Sequence, residues 1–150
     1  MENCRWDEGV VYQPGELVAR GYRDGRLVTE TATQTAGPAQ ALRIQLDRSA
    51  ISGDGQDVAL AHVTVVDAEG RLAPWAAHDI VFTIDGPGTI IGVGNGDPTS
   101  VEPHKGMRRR AFRGRCLAIA QGQCGATGTV MIRARADGLI GAEATLALEA

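Results

Sequence analysis

The sequence predicts an all-β chain: an immunoglobulin-like antiparallel β-sandwich of about seven strands, preceded by an extra β-hairpin. Three observations carry this expectation. Apolar residues recur with period two, as where Leu42, Ile44 and Leu46 alternate with Arg43, Gln45 and Asp47. That alternation belongs to strands with one buried face. Glycines number 20 and prolines 6 among 150 residues, above the roughly 12% these two contribute on average, so tight turns are frequent. No stretch carries a convincing amphipathic helix.

The elements follow in chain order. Tyr22-Arg23-Asp24-Gly25-Arg26-Leu27 is a hairpin signal, because Asp-Gly suits the two positive-φ positions of a type I′ turn. It joins a strand near 17–23 to one near 26–33. A lone hairpin is marginal in water, so residues 1–36 are expected to pack on the sandwich or to belong to a domain whose remainder lies elsewhere. Thr35-Ala36-Gly37-Pro38-Ala39 reads as the linker to a second domain over residues 39–150.

In that second domain Leu42–Leu46 alternates first. Ile80, Phe82 and Ile84 alternate next, then Val130, Ile132, Ala134 and Ala136, then Ala144, Leu146 and Leu148. Residues 58–66, 89–94 and 115–121 are strands with both faces apolar enough to leave their register open. The punctuation agrees: Asp67-Ala68-Glu69-Gly70, Gly86-Pro87-Gly88, a hairpin around the three glycines from Gly122 to Gly128, and Asp137-Gly138.

Composition excludes several classes. Lys+Arg is 15 and Asp+Glu is 18, a net charge of −3, against the usual basic balance of a nucleic-acid binder. No run of ~18 apolar residues would span a membrane as a helix. Met1–Asp7 lacks an apolar core, so no signal peptide is read there, and compartment stays open, with a periplasmic or secreted parent in view. The three cysteines form no CxxC pair and indicate no zinc ribbon. Cys116 is expected as a small buried side chain and Cys124 as a loop thiol, too far apart to bridge.

At this point particular residues resemble a known family. Val11-Tyr12-Gln13-Pro14-Gly15-Glu16-Leu17, then Tyr22-Arg23-Asp24-Gly25 and Thr35-Ala36-Gly37, resemble the last strands of the Ig-like domain that follows the catalytic barrel in bacterial glycoside hydrolase family 2 β-galactosidases. Ile91-Gly92-Val93-Gly94-Asn95-Gly96-Asp97-Pro98-Thr99-Ser100, then Glu102-Pro103-His104-Lys105 and Ala111-Phe112-Arg113-Gly114, resemble the next, C-terminal invasin-like Ig domain of those enzymes. The resemblance implies a non-catalytic accessory module of a hydrolase of carbohydrate metabolism. Its partners would be other domains of the parent glycoside hydrolase, with a homodimer through exposed strand edges and a carbohydrate as further partners. Nucleic acid and membrane are not expected. The alternatives are a carbohydrate-binding module and an adhesin-type interaction domain.

No catalytic residue is expected. A retaining glycosidase needs two carboxyls about 5 Å apart, and the barrel that carries them needs roughly 250 residues. The acidic neighbours Asp7-Glu8, Asp54/Asp57 and Asp97/Glu102 each fall in a turn. Asp54-Gly55-Gln56-Asp57 falls short of an EF-hand and reads as a turn. His62, His78 and His104 lack metal spacing, so no metal and no cofactor is expected. The glycines at 92–96 read as a tight turn, or else as a sugar-contact loop. The candidate carbohydrate contacts are Trp75, Asn95, Asp97 and His104. Trp6 and Trp75 are otherwise expected to pack on their own sheet or on a partner domain. Arg108–Arg110 with Arg113, Arg115 and Lys105 are expected as a solvated loop, or as a docking surface facing acidic residues of a neighbouring domain.

Overall fold

The computed structural model describes residue 11 and residues 13–150. Trp6, Asp7-Glu8 and Cys4 lie outside the described residues. The chain divides into two compact units, Met1–Thr35 and Ala36–Ala150.

The first unit holds β1 (Glu16–Arg23) and β2 (Arg26–Gln34), paired antiparallel from Glu16↔Gln34 to Arg23↔Arg26. The turn between them has Asp24 at φ 50 and Gly25 at φ 76, the two positive values that a type I′ turn requires. A bulge at Gly21/Tyr22 shifts the register. Leu17, Tyr22, Leu27 and Val28 are exposed.

The second unit holds nine strands: β3 (Ala41–Leu46), β4 (Ala50–Ser52), β5 (Val58–Val66), β6 (Asp79–Asp85), β7 (Gly88–Gly94), β8 (Arg108–Arg110), β9 (Arg115–Gly122), β10 (Gly128–Arg135) and β11 (Ala142–Glu149). They form a four-stranded sheet in the order β3-β5-β9-β7 and a five-stranded sheet in the order β4-β11-β10-β6-β8. This is an immunoglobulin-like sandwich. Its core is asymmetric in side-chain size. The four-stranded sheet turns Ala59, Ala61, Ala118 and Ala120 inward, and the five-stranded sheet fills the space with Ile80, Phe82, Ile132 and Leu146. Small residues facing large ones let the layers interdigitate at interior density.

Four expectations need correction. About seven strands become nine, because β4 and β8 have three residues each, too few to show periodicity. The sandwich is not wholly antiparallel: β4 runs parallel to β11, from Ala147↔Ala50 to Glu149↔Ser52. The glycines from Gly122 to Gly128 do not close a hairpin, because β9 and β10 belong to different sheets and the segment carries the chain between layers. The arginine run is no solvated loop: it is β8, paired with β6, and Arg109 is 1% exposed. The strands whose register was open are now aligned, with Val58↔Gln121 through Thr64↔Arg115 joining β5 to β9. Cys116 is buried, Cys124 is exposed, and both are free thiols. Burial pushes the Cys116 thiol up to about 12, with opposed smaller effects from the Arg109 and Glu102 charges.

Candidate functional site

Strand register gathers the sequence-predicted residues at one end of the sandwich. Asp79 pairs with Arg110, Gly94 with Leu117 and Thr64 with Arg115. The β5–β6, β7–β8 and β8–β9 connections therefore leave their sheets on the same side. Asn95, Asp97 and His104 share the β7–β8 connection, and Trp75 sits in the β5–β6 connection.

Asn95 and Asp97 are half-buried and bond back into their own loop, whereas His104 is exposed, its Nδ1 3.4 Å from the Val93 carbonyl oxygen. Asn95 Nδ2 donates to the Arg110 carbonyl at 2.9 Å. Asn95 Oδ1 accepts from Arg109 Nη2 at 2.8 Å and from the Asp97 amide at 3.1 Å. Arg109 Nη1 donates to the Glu102 carbonyl at 3.1 Å, and the Arg110 amide donates to Glu102 Oε2 at 3.1 Å. Arg109 Nε lies 3.7 Å from Glu102 Oε2, an ion-pair distance too long for a hydrogen bond, and it is buried without another partner. Asp97 caps a turn, accepting from the Thr99 amide at 2.9 Å and the Thr99 hydroxyl at 2.7 Å. Those two bonds hold its carboxyl below the usual range. The His104 carbonyl accepts from the Val93 amide at 2.8 Å, which lays the loop back along β7.

Trp75 behaves differently. Ala73 and Ala76 are 5% and 7% exposed, while Trp75 between them is 93% exposed. The turn is pinned by its alanines and pushes the indole into solvent, so Trp75 does not pack on its own sheet. Beside it lies a shallow depression of about 250 Å³ lined by Pro38, Pro74 and His78 among others.

Asp67 fixes the base of the same connection. It is 3% exposed and accepts from the Gly37 amide at 2.8 Å, the Glu69 amide at 3.0 Å, the Arg71 amide at 2.8 Å and Arg71 Nε at 2.8 Å. Burial alone would raise this carboxyl. The hydrogen bonds from Gly37 and Arg71, with the Arg71 charge, outweigh it and bring the carboxyl from 3.8 down to about 2. A folded-state value below the unfolded one means the ionised form favours folding. That stabilisation is complete above about pH 4–5 and is lost as pH falls through 3.8 towards about 2. Asp67→Asn is therefore expected to melt lower at neutral pH and to show a shallower decline of melting temperature below about pH 4. Melts at stepped pH check this; a decline as steep as that of the unmodified chain would count against it.

The remaining acidic neighbours also serve local backbone. Asp54 Oδ1 accepts from the Gln56 and Asp57 amides at 2.7 and 2.8 Å, and these bonds lower its pKa, the Asp57 bond first. Asp57 accepts from the Ser52 and Val58 amides at 3.0 and 2.9 Å. A general acid for glycoside cleavage needs a raised pKa, the reverse of what surrounds Asp54, Asp67 and Asp97. A second open groove, about 540 Å³, has His78, Asp79, Arg108, Arg135 and Asp137 in its lining, with Arg108 Nη2 paired to Asp79 at 2.7 Å. Among the described residues no three His, Cys, Asp or Glu side chains group as metal ligands.

The residue that sequence reasoning missed is Arg109. A signal for it existed: Arg109 is in phase with Ala111, which is 3% exposed, so a strand through 108–111 turns residue 109 inward.

The fold and its loop end define an immunoglobulin-like module whose loop carboxylates and amides mostly hold its own turns. Residues 42–145 match the family described as glycoside hydrolase family 2 C-terminal domain 5, and the chain belongs to that family. It is 36% identical over 139 residues to the β-galactosidase BoGH2A of Bacteroides ovatus, covering 93% of this chain and 16% of that enzyme. It is 33% identical to a β-glucuronidase of Formosa agariphila, covering 93% of this chain and 14% of that one. The crystal structure of a glycosyl hydrolase family 2 member from Bacteroides cellulosilyticus superposes with a TM-score of 0.90 at 30% identity, over 94% of this chain and 18% of that chain. The chain thus spans about a sixth of the length of these relatives.

Proposed function

We propose that the chain is a non-catalytic accessory module of a larger family 2 glycoside hydrolase of the β-galactosidase or β-glucuronidase kind, and that it acts by packing against that enzyme's other domains. The observation that carries this reading is the scale of the match: 94% of this chain falls on 18% of a hydrolase. The acidic neighbours seen here support it, since they cap turns rather than face each other across a sugar-sized cleft. In this reading β1 and β2 are the last strands of a preceding Ig-like domain, which explains why so many apolar residues of the hairpin are exposed.

The test compares the purified 150-residue chain with the full-length enzyme on nitrophenyl β-galactoside and β-glucuronide. The expected result is turnover by the full-length enzyme and none by the chain. Turnover by the chain that vanishes on mutating Asp54 or Asp97 would refute the reading.

One observation favours a second reading, a sugar-binding module: the indole of Trp75 is 93% exposed and could stack on a sugar ring. Asn95, Asp97 and His104 would be its polar contacts, although Asn95 and Asp97 are already committed to their own loop. Titration calorimetry with millimolar galactoside separates the two readings, because only the second gives heat that Trp75→Ala removes.

A further inference from the structure

Trp75 stands between an apolar flank and a cationic one. On the apolar side Pro38 and Pro74 line the shallow depression. On the cationic side are Arg110 and Arg113. Arg110 Nε donates to the Ala77 carbonyl at 3.0 Å. The Gly114 amide donates to the Ala76 carbonyl at 2.9 Å, which sets Arg113 beside the Trp75 turn.

Arg113 is held at φ 50 with its guanidinium 5.5 Å above the Phe112 ring. With Gly114 at φ 73 it forms the two-residue turn that the Phe112–Arg115 bridge closes, and this turn fixes where the Arg113 side chain leaves the backbone. Arg71, Arg108, Arg109 and Arg133 all have carboxylate partners. Among the described residues Arg110 and Arg113 have none, as is true also of Arg43, Arg115 and Arg135 in the same unit; what sets Arg110 and Arg113 apart is their place on the turns that meet the Trp75 loop. The patch is therefore aromatic and apolar at its centre and carries two uncompensated positive charges at its rim, in a chain whose net charge is −3.

We propose that the Trp75–Arg113 patch docks an acidic, partly apolar face of another folded domain of the same polypeptide, one encoded outside these 150 residues. The inference rests on the module reading above and names the surface that reading requires. Charge complementarity selects this occupant. A second copy of the chain meeting the patch through a two-fold axis would set Arg110 and Arg113 against their own equivalents. An acidic partner would pair both guanidinium groups as their water is expelled, while Trp75 supplies roughly 150–250 Å² of contact.

Hydrogen exchange measured on the full-length enzyme and on the 150-residue chain tests this. Amides of residues 73–77 and 111–115 are expected to exchange on the order of tenfold more slowly in the full-length enzyme. Arg113→Glu combined with Trp75→Ser should erase that difference while leaving Ala118 and Ile132 protected, which reports that the sandwich is still folded. Equal exchange in both forms, in an enzyme that does contain hydrolase domains, overturns the docking surface and leaves the module reading standing. A coding sequence with no further domain removes both. Light scattering that gives a dimer of the chain, returned to monomer by Trp75→Ser, would assign the patch to a second copy and overturn the proposal. So would protection of residues 73–77 in the isolated chain by millimolar galactoside.

Discussion

Arg109→Met is expected to destabilise the sandwich by about 3 kcal/mol, the low end of the cost of breaking a buried pair, and to lower the melting temperature on the order of 10 °C. The guanidinium is 1% exposed. It ties the Glu102 carbonyl and the Asn95 side chain to β8, and so closes the long β7–β8 connection onto the sheet edge. Methionine fills similar space but leaves those part-buried acceptors without their donor. The effect stays at the low end because Glu102 remains 37% exposed in its side chain and keeps the Arg110 amide. Arg109→Lys retains the charge but not the fork, and should recover only part of the loss. Arg110→Met, at the exposed neighbouring position, should cost less than about 1 kcal/mol. Thermal melts of the three variants separate these outcomes, and equal losses at 109 and 110 would mean the buried network contributes nothing special.

Gly86→Ala is expected to cost more than about 3 kcal/mol, in the range that marks a specific structural fault. Gly86 has φ 97 and opens the crossing from β6 in one sheet to β7 in the other. The Gly88 amide donates to the Gly86 carbonyl at 2.9 Å, closing a three-residue turn over Pro87. A Cβ at position 86 would lie 2.3 Å from the Thr129 carbonyl oxygen, and that oxygen belongs to the backbone of β10. Relief requires moving a central strand. Gly70→Ala is the control: its φ is 77, yet a Cβ there meets nothing within 4 Å. It should cost only the left-handed penalty of about 1–2 kcal/mol. Urea midpoints of the two variants decide the matter; similar midpoints would show that the close approach to Thr129 yields easily.

Much of the fold was legible because local chemistry and tertiary role coincide. Alternation in Leu42–Leu46, Ile80–Ile84 and Val130–Ala136 marks strands whose two faces meet different solvents, so the sequence records the sheet directly. Asp24-Gly25 needs positive φ at both positions whatever surrounds it. The family resemblance of the Ile91–Ser100 and Glu102–Lys105 stretches was equally readable. The candidate site was less so. Asn95, Asp97 and His104 are polar loop residues, and nothing in their types says whether they face a ligand or their own backbone. The structure turns Asn95 to Arg109 and Arg110 and Asp97 to Thr99.

What the sequence determined by itself was the all-β character, the hairpin turn, the positions of the long strands and the burial of Cys116, because each depends on side chains within a few residues. Only the tertiary structure could give Arg109 its partners Asn95 and Glu102, send β9 and β10 to different sheets, run β4 parallel to β11 and leave Trp75 in water. Those outcomes depend on which distant strand arrives alongside, and a period-two pattern is the same whichever neighbour a strand acquires.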